Sequence, residues 1–222
     1  YDIVILGAGS GGYATALRAA QLGMKVALID GDKVGGTCLH RGCIPTKAYL
    51  HAAETAEAVR ESAKFGVNST FNGIDMAQVG AYRDSVISGL YKGLRGLLKS
   101  RKVELISGWG HLADANTIEV GGQRITGRNI VLATGSYSRS IPGLDIGGRI
   151  ISSDQALQMN WVPSSVVILG GGVIGLEFAS VWRSFGAEVT IIEALPHLAN
   201  NEDEAISKQL ERAYRKRGIK FH

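Results

Sequence analysis

Cysteine is nearly absent from this chain, with two residues in 222. That excludes a secreted scaffold stapled by several disulfides. No apolar run reaches the roughly 18 residues of a membrane helix, so no membrane partner is expected. The formal net charge is only +4. The basic stretch Arg212-Ala213-Tyr214-Arg215-Lys216-Arg217 is accompanied by no aromatic platform and reads as a solvated helix face, not a nucleic-acid surface. No leader peptide is expected, because Asp2-Ile3-Val4-Ile5-Leu6 enters a strand at once. A cytoplasmic location is expected. There is also no initiator Met, and Gly218-Ile219-Lys220-Phe221-His222 reads as the opening of a further strand. We therefore expect a piece of a longer protein.

What the chain has in quantity is glycine, 30 residues, and one pattern of it occurs twice. Asp2–Leu6 reads as a strand, Gly7-Ala8-Gly9-Ser10-Gly11-Gly12 as a turn, Tyr13–Leu22 as a helix stopped by Gly23, and Lys25–Asp30 as a buried strand. Later come the strand Ser165–Leu169, the turn Gly170-Gly171-Gly172-Val173-Ile174-Gly175, a helix to Phe185, Gly186, and the strand Glu188–Glu193. Two βαβ openings predict an α/β fold with two Rossmann-like, doubly wound units. We place their boundaries at 1–149 and 150–222. The first unit carries an inserted helical pair over 47–64 and 75–100, the second helix capped by Asp75. It also carries short strands over 103–106, 117–120 and 129–133, with Gly121-Gly122 as a hairpin signal.

Each turn suits a phosphate. The first glycine permits the tight bend, the second lets backbone approach a pyrophosphate, and Gly12 or Gly175 lets helix pack on strand. The helix N-terminus offers unpaired N–H groups to an anion. An acid, Asp30 or Glu193, follows 23 residues after each first glycine, where a carboxylate accepts hydrogen bonds from ribose hydroxyls. A carboxylate repels a 2′-phosphate, and Ala194 and Leu195 supply no Arg to bind one, so Glu193 favours NAD over NADP.

The two cysteines, Cys38 and Cys43, lie five residues apart just after the first such unit. On a continuous helix they would point about 140° apart, so pairing requires a broken turn, which Gly42 and Pro45 can supply. A structural disulfide, a zinc site with His40 or His51, and inert thiols are the other readings of the pair.

Gly36-Thr37-Cys38 through Gly42-Cys43-Ile44-Pro45-Thr46-Lys47 resembles the redox-active signature of the flavin-dependent pyridine nucleotide-disulfide oxidoreductases. The resemblance spans the chain in family order: first loop, cysteines, helical pair, the Ala133-Thr134-Gly135-Ser136 turn, second loop. The Cys-Ile-Pro-Thr-Lys ending and Glu193 are most similar to the branch that oxidises dihydrolipoamide. Glutathione or mercuric reductases, or a nucleotide-binding module without turnover, are the alternatives.

The resemblance implies FAD at the first loop and NAD at the second. It assigns Cys38 to exchange with the substrate disulfide and Cys43 to face the flavin, with Lys47 near the flavin ring and paired to Glu177. It adds Gly36, Thr37, Gly110, Thr134, Gly135 and Ser136 to the FAD residues Gly7, Gly9, Ser10, Gly11, Gly12 and Asp30. At the NAD site it places Gly170, Gly172, Val173, Ile174, Gly175 and Glu193. No metal is expected. The implied partners are lipoyl domains of 2-oxo acid dehydrogenase complexes and a second subunit of a homodimer. Family members take their catalytic base, a His paired to a Glu, from a C-terminal dimerisation domain. None of His40, His51, His111, His197 and His222 stands in such a motif, so the chain alone is expected not to be fully active. Asp30 also departs from the Glu that many relatives carry.

Overall fold

The computed structural model describes all residues, 1–222. In chain order the elements are β1 (Ile3–Leu6), α1 (Ser10–Gln21), β2 (Val26–Asp30), α2 (Gly36–Arg41), α3 (Cys43–Glu61), α4 (Met76–Ser100), β3 (Glu104–Ser107), β4 (Gly110–Asp114), β5 (Thr117–Val120), β6 (Gln123–Thr126) and β7 (Asn129–Leu132). There follow α5 (Ser153–Ala156), β8 (Ser165–Leu169), α6 (Val173–Phe185), β9 (Glu188–Ile192), α7 (Glu204–Lys216) and β10 (Lys220–Phe221). By contacts the chain forms two compact units, Tyr1–Pro45 with Asp84–Asp154, and Thr46–Arg83 with Gln155–His222.

In the first unit a parallel sheet runs β3-β2-β1-β7. Its central strands are buried on both faces, which explains their unbroken apolar runs. Ile3 and Ile5 pack with Ala16 and Ala19 of α1 and with Leu98, while Val4 and Leu6 pack with Ile118 and Val120 of the antiparallel sheet β4-β5-β6. The alternation follows from the two-residue period of a strand. The β5–β6 hairpin turns at Gly121 and Gly122, both with positive φ (56° and 77°), as a two-residue hairpin of this kind requires.

In the second unit β10-β9-β8 form a parallel sheet. Its core joins Tyr49 and Ala53 of α3, Phe178, Trp182 and Phe185 of α6, Val189 and Ile191 of β9, and Tyr214 of α7. Gly186, in the left-handed region at φ 111°, ends α6 with its N–H on the Trp182 carbonyl.

Several boundaries differ from the sequence reading. The first helix of the inserted pair starts at Cys43 rather than residue 47. Pro45 does not delay it, because a proline in the first turn has no intrahelical N–H to lose. The second runs Met76–Ser100, with the Asp75 carboxylate accepting from the amides of Ala77 (2.9 Å) and Gln78 (3.1 Å). Strand β4 was not expected: Gly-His-Leu-Ala-Asp is largely exposed and has little apolar alternation to announce it. The basic run near the C-terminus lies on α7, where Tyr214 turns inward and Arg212, Arg215 and Lys216 outward.

Candidate functional site

The two glycine turns have the same geometry. Gly7 and Gly170 stand at φ 100° and 104°, a conformation that only glycine adopts without strain. A Cβ on Gly12 would lie 1.7 Å from the Gly7 carbonyl oxygen, and one on Gly175 would lie 2.1 Å from that of Gly170. Helix and turn are therefore in backbone contact at both places. Gly9 and Gly172 are the N-caps of α1 and α6, and neither helix has a side chain bonded to its first amides. Ser10, Gly11 and Gly12 open the one helix and Val173, Ile174 and Gly175 the other. Uncapped N–H groups at a helix start, bordered by residues without side chains, suit a pyrophosphate.

The acids at the ends of β2 and β9 also correspond. Asp30 accepts hydrogen bonds from the amides of Ala8 (2.5 Å) and Asp32 (2.7 Å), and Glu193 from those of Gly171 (2.6 Å) and Leu195 (2.8 Å). The N–H groups of Leu195 and then Gly171 hold the Glu193 carboxyl below the usual carboxylate range. Each carboxylate oxygen keeps a further lone pair, so bracing the loop leaves room to accept from ribose.

Around the first turn the structure brings several predicted residues together. Cβ positions built on Gly36 and Gly7 would meet Gly9 Cα at 2.6 Å and the Ala133 carbonyl oxygen at 2.1 Å. The start of α2 and the segment Ala133-Thr134-Gly135-Ser136 thus flank the turn, with Thr134, Gly135 and Ser136 exposed. Gly110 packs against Leu6 and Ile29 at the carboxyl ends of β1 and β2. Trp109 was missed by sequence reasoning. Its ring lies over Gly31, one residue past Asp30, and is 82% exposed. An aromatic between two glycines in an otherwise polar connection, Ser107-Gly108-Trp109-Gly110, was the available signal.

Cys38 lies within α2 and Cys43 is the first residue of α3. Gly42 between them, at φ −137° and ψ −111°, breaks the helix. Cys38 is half-buried, Cys43 is exposed, and both carry thiols in this structure. Thr37, next to Cys38, is exposed. On α3, Lys47 lies one turn past Cys43, and within the second unit its ammonium donates to the Glu177 carboxylate of α6. The Glu177 side chain is 20% exposed and that of Lys47 58%.

The chain thus carries two dinucleotide-type turns, each braced by an acid, and two thiols at a helix break. The model of the pyridine nucleotide-disulphide oxidoreductase family matches residues 1–222, and the chain belongs to that family. It is 40% identical over 235 residues to a dihydrolipoyl dehydrogenase of Bacillus subtilis, and 42% identical over 232 residues to dihydrolipoyl dehydrogenase 3 of Pseudomonas putida. Each comparison covers 100% of this chain, and 50% and 49% of the relative respectively. Among solved structures, the HOCl-induced flavoprotein disulfide reductase RclA from Escherichia coli superposes with a TM-score of 0.80 at 29% identity, covering 100% of this chain and 48% of that one. The chain thus spans about half the length of these relatives.

Proposed function

We propose that this chain is the cofactor-binding and redox-cysteine part of an NAD-dependent dihydrolipoyl dehydrogenase. The observation that carries the reading is the duplicated turn-and-acid geometry in a chain whose only two cysteines straddle a helix break. The domain partition we favour is an FAD-binding part over 1–149 and an NAD-binding part over 150–222.

The residues present fit both groups. Gly7, Gly9, Ser10, Gly11, Gly12 and Asp30, with Gly36, Thr37, Gly110, Thr134, Gly135 and Ser136, would hold FAD. Gly170, Gly172, Val173, Ile174, Gly175 and Glu193 would hold NAD. When bound, FAD supplies a two-electron acceptor for the cysteine pair and NAD a hydride acceptor. Trp109, whose ring lies over Gly31 next to Asp30, would flank the ribose that Asp30 accepts from.

The chain's own residues perform the sulfur step. One thiolate of dihydrolipoamide attacks Cys38 in the Cys38–Cys43 disulfide, forming a mixed disulfide and releasing the Cys43 thiolate. The second substrate thiolate then attacks its own mixed-disulfide sulfur. Lipoamide leaves oxidised, both cysteines are reduced, and a base takes the substrate's protons. The resemblance puts Cys43 and the Lys47–Glu177 pair on the flavin side, and draws the base from a partner subunit in a homodimer. Lipoyl domains of 2-oxo acid dehydrogenase complexes are the macromolecular substrate, in the cytoplasm. No helix of the chain is long and apolar enough to cross a membrane.

The test is NAD-dependent oxidation of dihydrolipoamide by the full-length protein containing this chain. Activity lost in Cys43→Ser supports the reading. Activity that survives this substitution, or that prefers NADPH and glutathione disulfide, overturns it.

A further inference from the structure

Residues 85–103 contain five cations, Lys92, Arg95, Lys99, Arg101 and Lys102, and no Asp or Glu. Four of them, Lys92, Arg95, Lys99 and Lys102, line a single open groove of about 500 Å³ within the first unit, and Tyr91, Gly96, Val103 and Leu105 complete its walls. The spacings of three, four and three residues keep these side chains on one face of α4 and its continuation. None of the four forms an ion pair, although salt bridges are frequent elsewhere on the molecule. The neighbouring acid, Glu104, is turned instead toward Tyr1, whose hydroxyl pKa it helps push up to about 12.

The helix dipole accounts for Lys99 and Lys102, which lie at the C-terminus of α4, where cations are favoured. Its effect falls off within the last turn, so it does not account for Lys92 and Arg95. Gly96 adds a second observation. Glycine inside an exposed helix is the worst choice after proline, and here no packing requires it, since a Cβ would meet nothing within 4 Å. Gly89 and Gly93 of the same helix are equally open, and Gly96 is the one that leaves the groove wall beside Arg95 without a side chain.

We propose that this groove docks an extended acidic segment of a protein partner, with carboxylates on the four cations and an apolar side chain against Val103 and Leu105. The groove follows α4 for about 12–15 Å, the length of about four extended residues. A nucleic acid fits it less well. The one aromatic ring, Tyr91, already meets the His40 ring edge-on at 5.2 Å and has the Arg95 guanidinium 5.6 Å from its centroid, and a single ring makes no series of platforms for successive bases. The surface serves association and is independent of the thiol chemistry proposed above.

The experiment titrates a fluorescein-labelled Glu-Leu-Glu-Glu-Leu-Glu peptide against the full-length protein by fluorescence anisotropy. Binding should weaken as salt rises from low to physiological strength, because exposed charges are screened. The triple variant Lys92→Gln/Arg95→Gln/Lys99→Gln should bind about tenfold more weakly. Gly96→Leu, whose Cβ would meet nothing within 4 Å and whose side chain would occupy part of the groove, should weaken binding as well. Both variants should keep the parent's turnover, the triple variant with an unchanged melting temperature and Gly96→Leu with an equal or higher one. Equal binding to parent and variants, or none at all, overturns the proposal. So does a decathymidylate oligonucleotide that binds as tightly as the peptide and displaces it, which would make the groove a polyanion site. Resistance of Lys92 and Lys99 to acetylation in the full-length protein without peptide also overturns it, since the groove would then be covered by the protein itself.

Discussion

Glu193 accepts a hydrogen bond from the Gly171 amide at 2.6 Å, bracing the second glycine turn from the strand that follows it. With Leu195 N–H on its other oxygen, this carboxylate is fixed at the mouth of the second turn. Replacing Glu193 with Ala and Leu195 with Arg should lower NADH affinity and raise NADPH affinity, each by about tenfold or about 1.4 kcal/mol. Equilibrium titration with the two nucleotides measures both. The folded-state carboxyl is depressed, so its stabilising contribution is complete above the ordinary carboxylate value and is lost as pH falls through the lower folded value. This group should therefore add no slope to NADH affinity between pH 6 and 8.

Gly175→Ala sets two effects against each other. Alanine favours a helix over glycine by about 1 kcal/mol. The new Cβ, however, would sit 2.1 Å from the Gly170 carbonyl oxygen, a backbone atom that cannot rotate away. The clash should win, with a net loss of about 2–4 kcal/mol. Urea denaturation reads the change, and Gly93→Ala on α4, where nothing lies within 4 Å of the new Cβ, is the control expected to be stabilising.

Lys47 and Glu177 separate a structural from a functional ion pair. With Lys47 more than half exposed, the pair is worth under about 1 kcal/mol of stability. Lys47→Met should therefore shift the denaturation midpoint little. If the pair serves the flavin, the same substitution should slow reduction of bound FAD by dihydrolipoamide by more than about tenfold in stopped-flow absorbance. A large stability loss with unchanged reduction would make the pair purely structural.

The cysteines should differ in reactivity according to the flavin. Here Cys43 is exposed and Cys38 half-buried. In reduced, flavin-stripped protein, iodoacetamide should modify Cys43 at least as fast as Cys38. Adding FAD should protect Cys43 and leave Cys38 reactive, as peptide mass spectrometry will show. Equal protection of both thiols would contradict the separate roles proposed for them.

Arg217 ties three elements of the second unit. Its guanidinium donates to Glu57 (2.7 Å), to the Ser184 hydroxyl (2.7 Å) and to the Ser180 hydroxyl (2.6 Å). Burial alone would raise the Glu57 carboxyl, but the Ser184 hydrogen bond and the Arg217 charge outweigh it and hold it low. Arg217→Met should cost about 1–3 kcal/mol. Because the Glu57 carboxyl is depressed, its share of stability is full above the ordinary carboxylate value and fades as pH falls through the lower folded value. The difference between parent and variant in chemical denaturation should therefore shrink from pH 7 toward pH 3.

The two glycine turns, their helices and strands, the acids and the Asp75 cap were all legible in the sequence, because each depends on interactions within about thirty residues. Gly121-Gly122 marked its hairpin for the same reason. Strand β4 and the short helices α2 and α5 were not legible. β4 takes its conformation from pairing with β5, and local propensity carries no trace of such pairing.

By itself the sequence determined the repeat of turn and acid, the spacing of Cys38 and Cys43, and the residue types able to hold dinucleotides. All of these reside in backbone sterics and short-range hydrogen bonding. Only the tertiary structure decided that Lys47 meets Glu177, that Arg217 gathers Glu57 and Ser184, and that Trp109 lies over Gly31. These relationships join residues distant in the chain, and packing within each unit fixes them where no local pattern can.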